Sequence, residues 1–222
     1  MEVRDRFRGC LLGLAVGDAL GTTVEFRPRG SFQPLTDMVG GGPFHLQSGQ
    51  WTDDTSMALC LATSLLECGG FDAHDQMERY CRWAEEGYLS STGTCFDIGG
   101  TVKRALNRYR HTGEPYAGST DPYSAGNGCI MRLAPIPMFF FPDLEAVERM
   151  AAESSRLTHG AQECLDACRL FGRMLCRALL GEPKERILSA IAPPSRAPPK
   201  SSPSPKGPTG TSPRLSFAAA VT

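Results

Sequence analysis

A chain of 222 residues with 41% hydrophobic and 21% charged residues has the composition of a soluble globular protein, long enough to bury one sizeable core. Its formal net charge of −1 gives no general drive toward nucleic acid or an anionic membrane, so neither is an expected partner. No stretch approaches the roughly 20 apolar residues that span a bilayer. The nine cysteines are odd in number and form no CxxC pair. Cys60, Cys68, Cys164, Cys168 and Cys176 fall at apolar positions of predicted helices, as small buried hydrophobes do in a reducing compartment. The apolar run Cys10 to Val16 is barely long enough for a signal peptide, and Glu2 and Asp5 dilute the positive charge such a leader needs. A cytoplasmic, monomeric protein is the expectation.

In chain order, the first predicted element is a helix on which Gly9, Gly13, Gly17 and Gly21 recur every four residues and form one ridge. Such a ridge predicts close approach by a neighbouring helix, offsetting the poor helix propensity of glycine. A second helix is predicted from about Thr52 to Cys68, with Met57, Leu61 and Leu65 on one stripe and Gly69 as terminator. A third begins after Asp72 and carries Met77, Tyr80, Cys81 and Ala84. A fourth follows Gly99-Gly100 and buries Val102, Leu106 and Tyr109. Asp143 is placed to cap a fifth, with Leu144, Val147, Ala151, Ser154 and Leu157 at three- and four-residue steps. The clearest amphipathic pattern runs from about Ala161 to Leu180, with Cys164, Leu165, Cys168, Phe171, Leu175 and Leu179 inward. Strand signals are sparse, so the fold class is all-α. From Ala192 to Thr222 the chain holds about half of its 17 prolines and no Asp or Glu, with Arg196, Lys200, Lys206 and Arg214 making it basic. The expected organisation is a helical domain over 1–191 and a disordered tail over 192–222.

Residues that packing alone explains poorly stand at intervals along this frame. In Trp51-Thr52-Asp53-Asp54-Thr55, adjacent carboxylates lie between threonines at a helix start. Hydroxyl and carboxylate oxygens suit a hard divalent cation. The same residues also suit a helix N-cap with acids on the dipole, and the pentapeptide alone leaves both open. Asp18 is a charge on a small, apolar helix; it would cap or pair with an arginine if not functional. Glu25, in Val24-Glu25-Phe26-Arg27-Pro28, has Arg27 and Arg29 as alternative partners. Asp97 sits in an apolar bracket where a helix N-cap is the alternative. Gly126-Asn127-Gly128 suits either a turn or a phosphate-binding backbone. His159 lies in a tight link between two amphipathic helices, where structural histidines are common.

In this order the segments RGCLLGLAVGDALG, VEFRP, QWTDDTSMAL, CFDIGGTVKRAL, SAGNGCIMRLAPI and LTHG, from about Phe7 to Leu180, resemble the ADP-ribosylglycohydrolase family. The WTDDT and GNGxxMRxAP elements together carry the resemblance. It implies an all-helical, orthogonally packed fold with two Mg²⁺ or Mn²⁺ ions in a cleft, hydrolysing the bond between ADP-ribose and an arginine, serine or related acceptor. It further implies that Thr52, Asp53 and Asp54 are metal ligands, and that Glu25, Asp54 and Asp97 form the catalytic set. Ser124, Gly126 and Asn127 would lie along the pyrophosphate and His159 would line the ADP-ribose cleft. The substrate implied is an ADP-ribosylated protein or small ADP-ribosyl compound. The family pattern continues with a second Asp-x-Asp-Thr element, and none follows Leu180. The chain is therefore expected to be a C-terminally truncated member that retains only one of the two ions or none, either still hydrolytic, or an ADP-ribose-binding remnant, or a structural helical protein.

Overall fold

The computed structural model describes residues 2–189 and is all-helical over them, without a strand ladder. Eight α-helices follow in order among the described residues: α1 Val3–Gly21, α2 Asp53–Cys68, α3 Ala73–Glu86, α4 Gly100–Thr112, α5 Pro135–Phe139, α6 Leu144–Arg156, α7 Gln162–Leu180 and α8 Lys184–Ser189. Local chemistry sets several of the boundaries. The Asp72 carboxylate accepts from the Asp75 N–H at 2.9 Å, and that of Asp143 from Ala146 N–H at 3.0 Å. Each satisfies an orphan donor of a first helical turn, as the sequence predicts for α3 and α6. Helix α2 stops where Gly69 takes up φ +66°, a left-handed cap that a Cβ-bearing residue would adopt only with strain.

Helix α2 is the hub, buried on both faces. One face gives Leu61, Ala62 and Leu65 to a core shared with Phe7 and Leu11 of α1, the Leu133–Phe140 segment, Val147 and Ala151 of α6, and Cys168 of α7. The other face gives Met57 and Cys60 to a second core with Met77, Tyr80 and Trp83 of α3 and Val102, Leu106 and Tyr109 of α4. Each fully buried aliphatic or aromatic side chain is worth about 1.5–3 kcal/mol of transfer free energy. The N-terminus of α2 is thereby fixed from two sides. Whatever chemistry stands there stands on a helix packed into both cores.

Three expectations are corrected. The Gly9–Gly21 ridge does not admit a neighbouring helix among the described residues: no atom lies within 4 Å of where a Cβ would stand on any of the four. Helix α1 is anchored instead by Phe7 and Leu11 on its opposite side, which turns the ridge outward beside the exposed Leu12 and Val16. Cys68 is exposed rather than buried, because it lies in the last turn of α2, next to the cap. Phe171 is outward too, at 36% exposure, since Gly172 and Cys168 take the core-facing arc of α7 against α6. All nine cysteines are free thiols. Among the described residues no helix is long and apolar enough to cross a membrane. The 192–222 tail lies outside the described residues.

Candidate active site

Construction of the site starts with Asp18, one turn before the end of α1. Its carboxylate accepts the backbone N–H of Thr52 at 3.0 Å and of Thr55 at 3.0 Å, and the hydroxyls of Thr52 at 2.7 Å and Thr55 at 2.6 Å. The start of α2 is therefore capped from a different helix. Thr52 occupies the N-cap position in extended backbone, but its own side chain makes no cap bond. Its hydroxyl proton goes to Asp18, which leaves the oxygen lone pairs directed elsewhere. Asp53 and Asp54 follow in the first turn, where the helix dipole favours negative charge.

Two loops bring the remaining acids. After α1 a single 3₁₀ turn over Thr22–Val24 leads to Glu25, whose carboxylate accepts weakly from the Thr22 hydroxyl at 3.4 Å. Asp97 is held in the left-handed region at φ +54°, a conformation Asp tolerates better than most residues. Asp97 and Glu25 stand near enough for each carboxyl to affect the other's titration, the charge of Glu25 helping to raise Asp97. The residues beside them, Phe26 and Phe96, lie at the two ends of an aromatic row through Phe44, with ring centroids 6.2 and 5.4 Å apart.

Glu25, Thr52, Asp53, Asp54, Asp97 and Asn127 all line one cavity of 410 Å³, together with Asp18. The lining contains five carboxyls and no basic side chain. The electrostatic consequence is that Asp53, Asp54, Asp97 and Glu25 hold protons unusually well. Burial, and then the charges of Asp97, Asp54 and Asp18, push Asp53 up to about 8. Burial and the charges of Asp18 and Glu25 raise Asp54 to about 6. Asp97 rises to about 7 through burial and its contact with Glu25, and Glu25 is itself raised mainly by burial. Carboxyls poised near neutrality in one cleft are a feature of functional sites.

The other predicted residues are placed unequally. Ser124 is not in the cavity wall; its hydroxyl is turned back onto the Asp121 carbonyl at 2.6 Å within a short turn. The Gly126 carbonyl accepts from Cys164 Sγ at 3.5 Å, which moors the loop to α7. His159 is buried, 2% exposed, with its ring against this loop rather than in the acidic cavity. A Cβ on Gly128 would stand 2.8 Å from His159 Cε1 and 3.1 Å from Val102 Cγ2. Gly128→Ala is accordingly expected to cost about 1–3 kcal/mol in urea unfolding, because imidazole and loop must separate. Two residues outside the predicted set prove structural to the site: Asp18, and Arg132, whose side chain is completely buried. The visible signal for each was a charge in an otherwise apolar stretch.

The profile of the ADP-ribosylglycohydrolase family matches residues 1–219, and the chain belongs to that family. It is 44% identical over 188 residues to the ADP-ribosylarginine hydrolase Tri1 of Serratia proteamaculans, covering 85% of this chain and 51% of that protein. To the ADP-ribosyl-[dinitrogen reductase] glycohydrolase of Rhodospirillum rubrum it is 38% identical over 181 residues, covering 78% and 58%. Among solved structures, an ADP-ribosylglycohydrolase-related protein complex superposes with a TM-score of 0.71 at 49% identity, over 84% of this chain and 60% of that one. The chain spans about half the length of the curated relatives it matches.

Proposed function

We propose that this chain serves the hydrolysis of the glycosidic bond between ADP-ribose and an acceptor side chain, with arginine as the acceptor. The observation that carries the proposal is the convergence of Glu25, Thr52, Asp53, Asp54, Asp97 and Asn127, drawn from four separate segments, on one cavity. The likeness to an ADP-ribosylarginine hydrolase supports arginine over serine. Water attack at an anomeric carbon needs one group to take a proton from water and another to give a proton to the departing atom. Glu25 and Asp97, two neighbouring carboxyls both raised and with Asp97 at about 7, suit that exchange, since one can hold a proton while the other accepts one. Asn127 and the backbone of the 126–128 loop, Gly126 included, would receive the pyrophosphate, with Ser124 and His159 behind that loop.

The donor set also fits a hard divalent cation, Mg²⁺ or Mn²⁺: it is all oxygen, acidic and without a basic counter-charge. Thr52, Asp53 and Asp54 would hold it, and when bound it would supply Lewis-acid polarisation and activation of water. Among the described residues no three His, Cys, Asp or Glu side chains converge as a ready-made metal site. Loading would therefore displace the proton that the raised Asp53 holds.

The test is release of free ADP-ribose from an ADP-ribosylarginine peptide in the presence of Mg²⁺ or Mn²⁺. Wild-type chain is expected to release it, and Asp54→Asn to slow release by roughly 10²–10⁴-fold. Heat of ADP-ribose binding in calorimetry without any release would instead make the chain a binding module. Neither heat nor release would leave a structural role.

A further inference from the structure

Arg132 lies where the two cores meet, and its burial is complete. None of the ion pairs among the described residues includes it. Its guanidinium stands 4.6 Å from the centre of the Tyr80 ring. It donates to the Gly128 carbonyl at 2.9 Å, the Ser154 carbonyl at 3.1 Å and the Thr158 hydroxyl oxygen at 2.8 Å. The Ser154 carbonyl belongs to the last turn of α6, the negative end of that helix. One buried cation thus ties the glycine loop to the link that carries His159.

The bond to Thr158 has a consequence for the histidine. Guanidinium groups only donate, so Thr158 Oγ1 accepts from Arg132 and must aim its own proton elsewhere. The acceptor in reach is His159 Nδ1, at 2.9 Å. If Nδ1 carried the imidazole proton instead, the Thr158 hydroxyl would be left as a fully buried donor with nothing to receive it, which is the costlier arrangement. Burial, with Arg132 and Arg104 nearby, holds the His159 pKa down at about 4, so the ring is neutral and has a single proton to place. Its far edge faces the loop: a Cβ on Gly126 would lie 3.6 Å from Nε2, and one on Gly128 3.3 Å from it.

We infer that Arg132 and Thr158 are positioning residues that lock His159 as the Nε2–H tautomer, so that the ring offers a hydrogen-bond donor toward the Gly126–Gly128 loop and the ligand that loop receives. A donor there selects an acceptor-rich group, such as a phosphate or ribose oxygen. The identity of that ligand rests on the proposed ADP-ribose function; the tautomer does not.

The experiment is long-range ¹H–¹⁵N correlation on the full chain labelled in its four histidines, with His159 assigned by the signals lost in His159→Asn. The expected result is an unprotonated Nδ1 and a protonated Nε2 for His159 in the wild type. Thr158→Val keeps the shape and removes the hydroxyl; it should give a mixture of tautomers and weaken ADP-ribose binding about tenfold. Thr158→Ser should restore both. A wild-type His159 protonated on Nδ1, or a tautomer unmoved by Thr158→Val, overturns the inference, and the wild-type spectrum decides even if the valine variant does not fold. Nε2–H in a wild-type chain that binds no ADP-ribose overturns the functional proposal alone.

Discussion

Asp18→Ala is expected to destabilise the chain by about 3 kcal/mol and to remove whatever cation affinity and hydrolysis it has, although Asp18 is assigned neither substrate nor metal. Its carboxylate accepts two backbone N–H groups and two hydroxyls from Thr52 and Thr55, both nearly inaccessible to water. Hydrogen bonds to a charged group contribute roughly 1.5–3 kcal/mol each in isolation, but bonds that act as one unit do not add. Truncation leaves the donors at the start of α2 without acceptors and frees Thr52 and Thr55 to rotate. Asp18→Asn behaves differently. It keeps one acceptor oxygen and removes a negative charge that raises Asp53, Asp54, Asp97 and Glu25. Lost bonds and relieved repulsion then partly cancel, for a net cost of about 1 kcal/mol. Urea unfolding of the two variants against wild type measures the difference. An alanine variant within about 0.5 kcal/mol of wild type would mean that α2 does not need its cap from α1.

The residues that were legible in the sequence act over short distances. Asp72 and Asp143 cap helices within three residues of themselves, and the stripes of α2, α4 and α6 need only the 3.6-residue period. Periodicity says which residues share a face, not what covers it. That is why the α1 glycines looked like a helix contact and lie open, and why Phe171 looked inward. Helix α5 leaves no signal in the sequence because five residues, with Pro135 at its first position, give no period; burial of Ile136, Met138 and Phe139 makes it. The acidic pentapeptide was visible as chemistry, and so were Glu25 and Asp97 singly. Their meeting was legible only through the family resemblance, because the pairings span tens of residues. Asp18 shows the limit most clearly: its oddity was evident, but its partners lie 34 and 37 residues away, beyond any local rule.

The second large effect expected is a pH-dependent stabilisation by Mg²⁺ or Mn²⁺. Asp53, Asp54 and Asp97 have folded-state values near 8, 6 and 7, all above the ordinary carboxylate range near 4. A carboxyl that binds its proton more tightly when folded makes the folded chain hold more protons than the unfolded one between those limits. Stability therefore falls as pH rises from about 4 to about 8, the reverse of an ion-paired carboxylate. Without added cation, the melting temperature should decline across that window. A divalent ion replaces the protons, so it competes poorly at about pH 5 and well at about pH 8. At roughly a hundredfold excess over its dissociation constant it contributes about 2.7 kcal/mol, or about 5–10 °C in a domain of this size. The Asp53→Asn, Asp54→Asn double variant should melt with a shallower pH slope and without the cation shift. Thermal melts at three pH values, with and without Mg²⁺ or Mn²⁺, separate the alternatives. A shift of equal size at every pH, or one that survives in the double variant, would move the cation away from Thr52–Asp54 and leave the acidic cavity to proton chemistry alone.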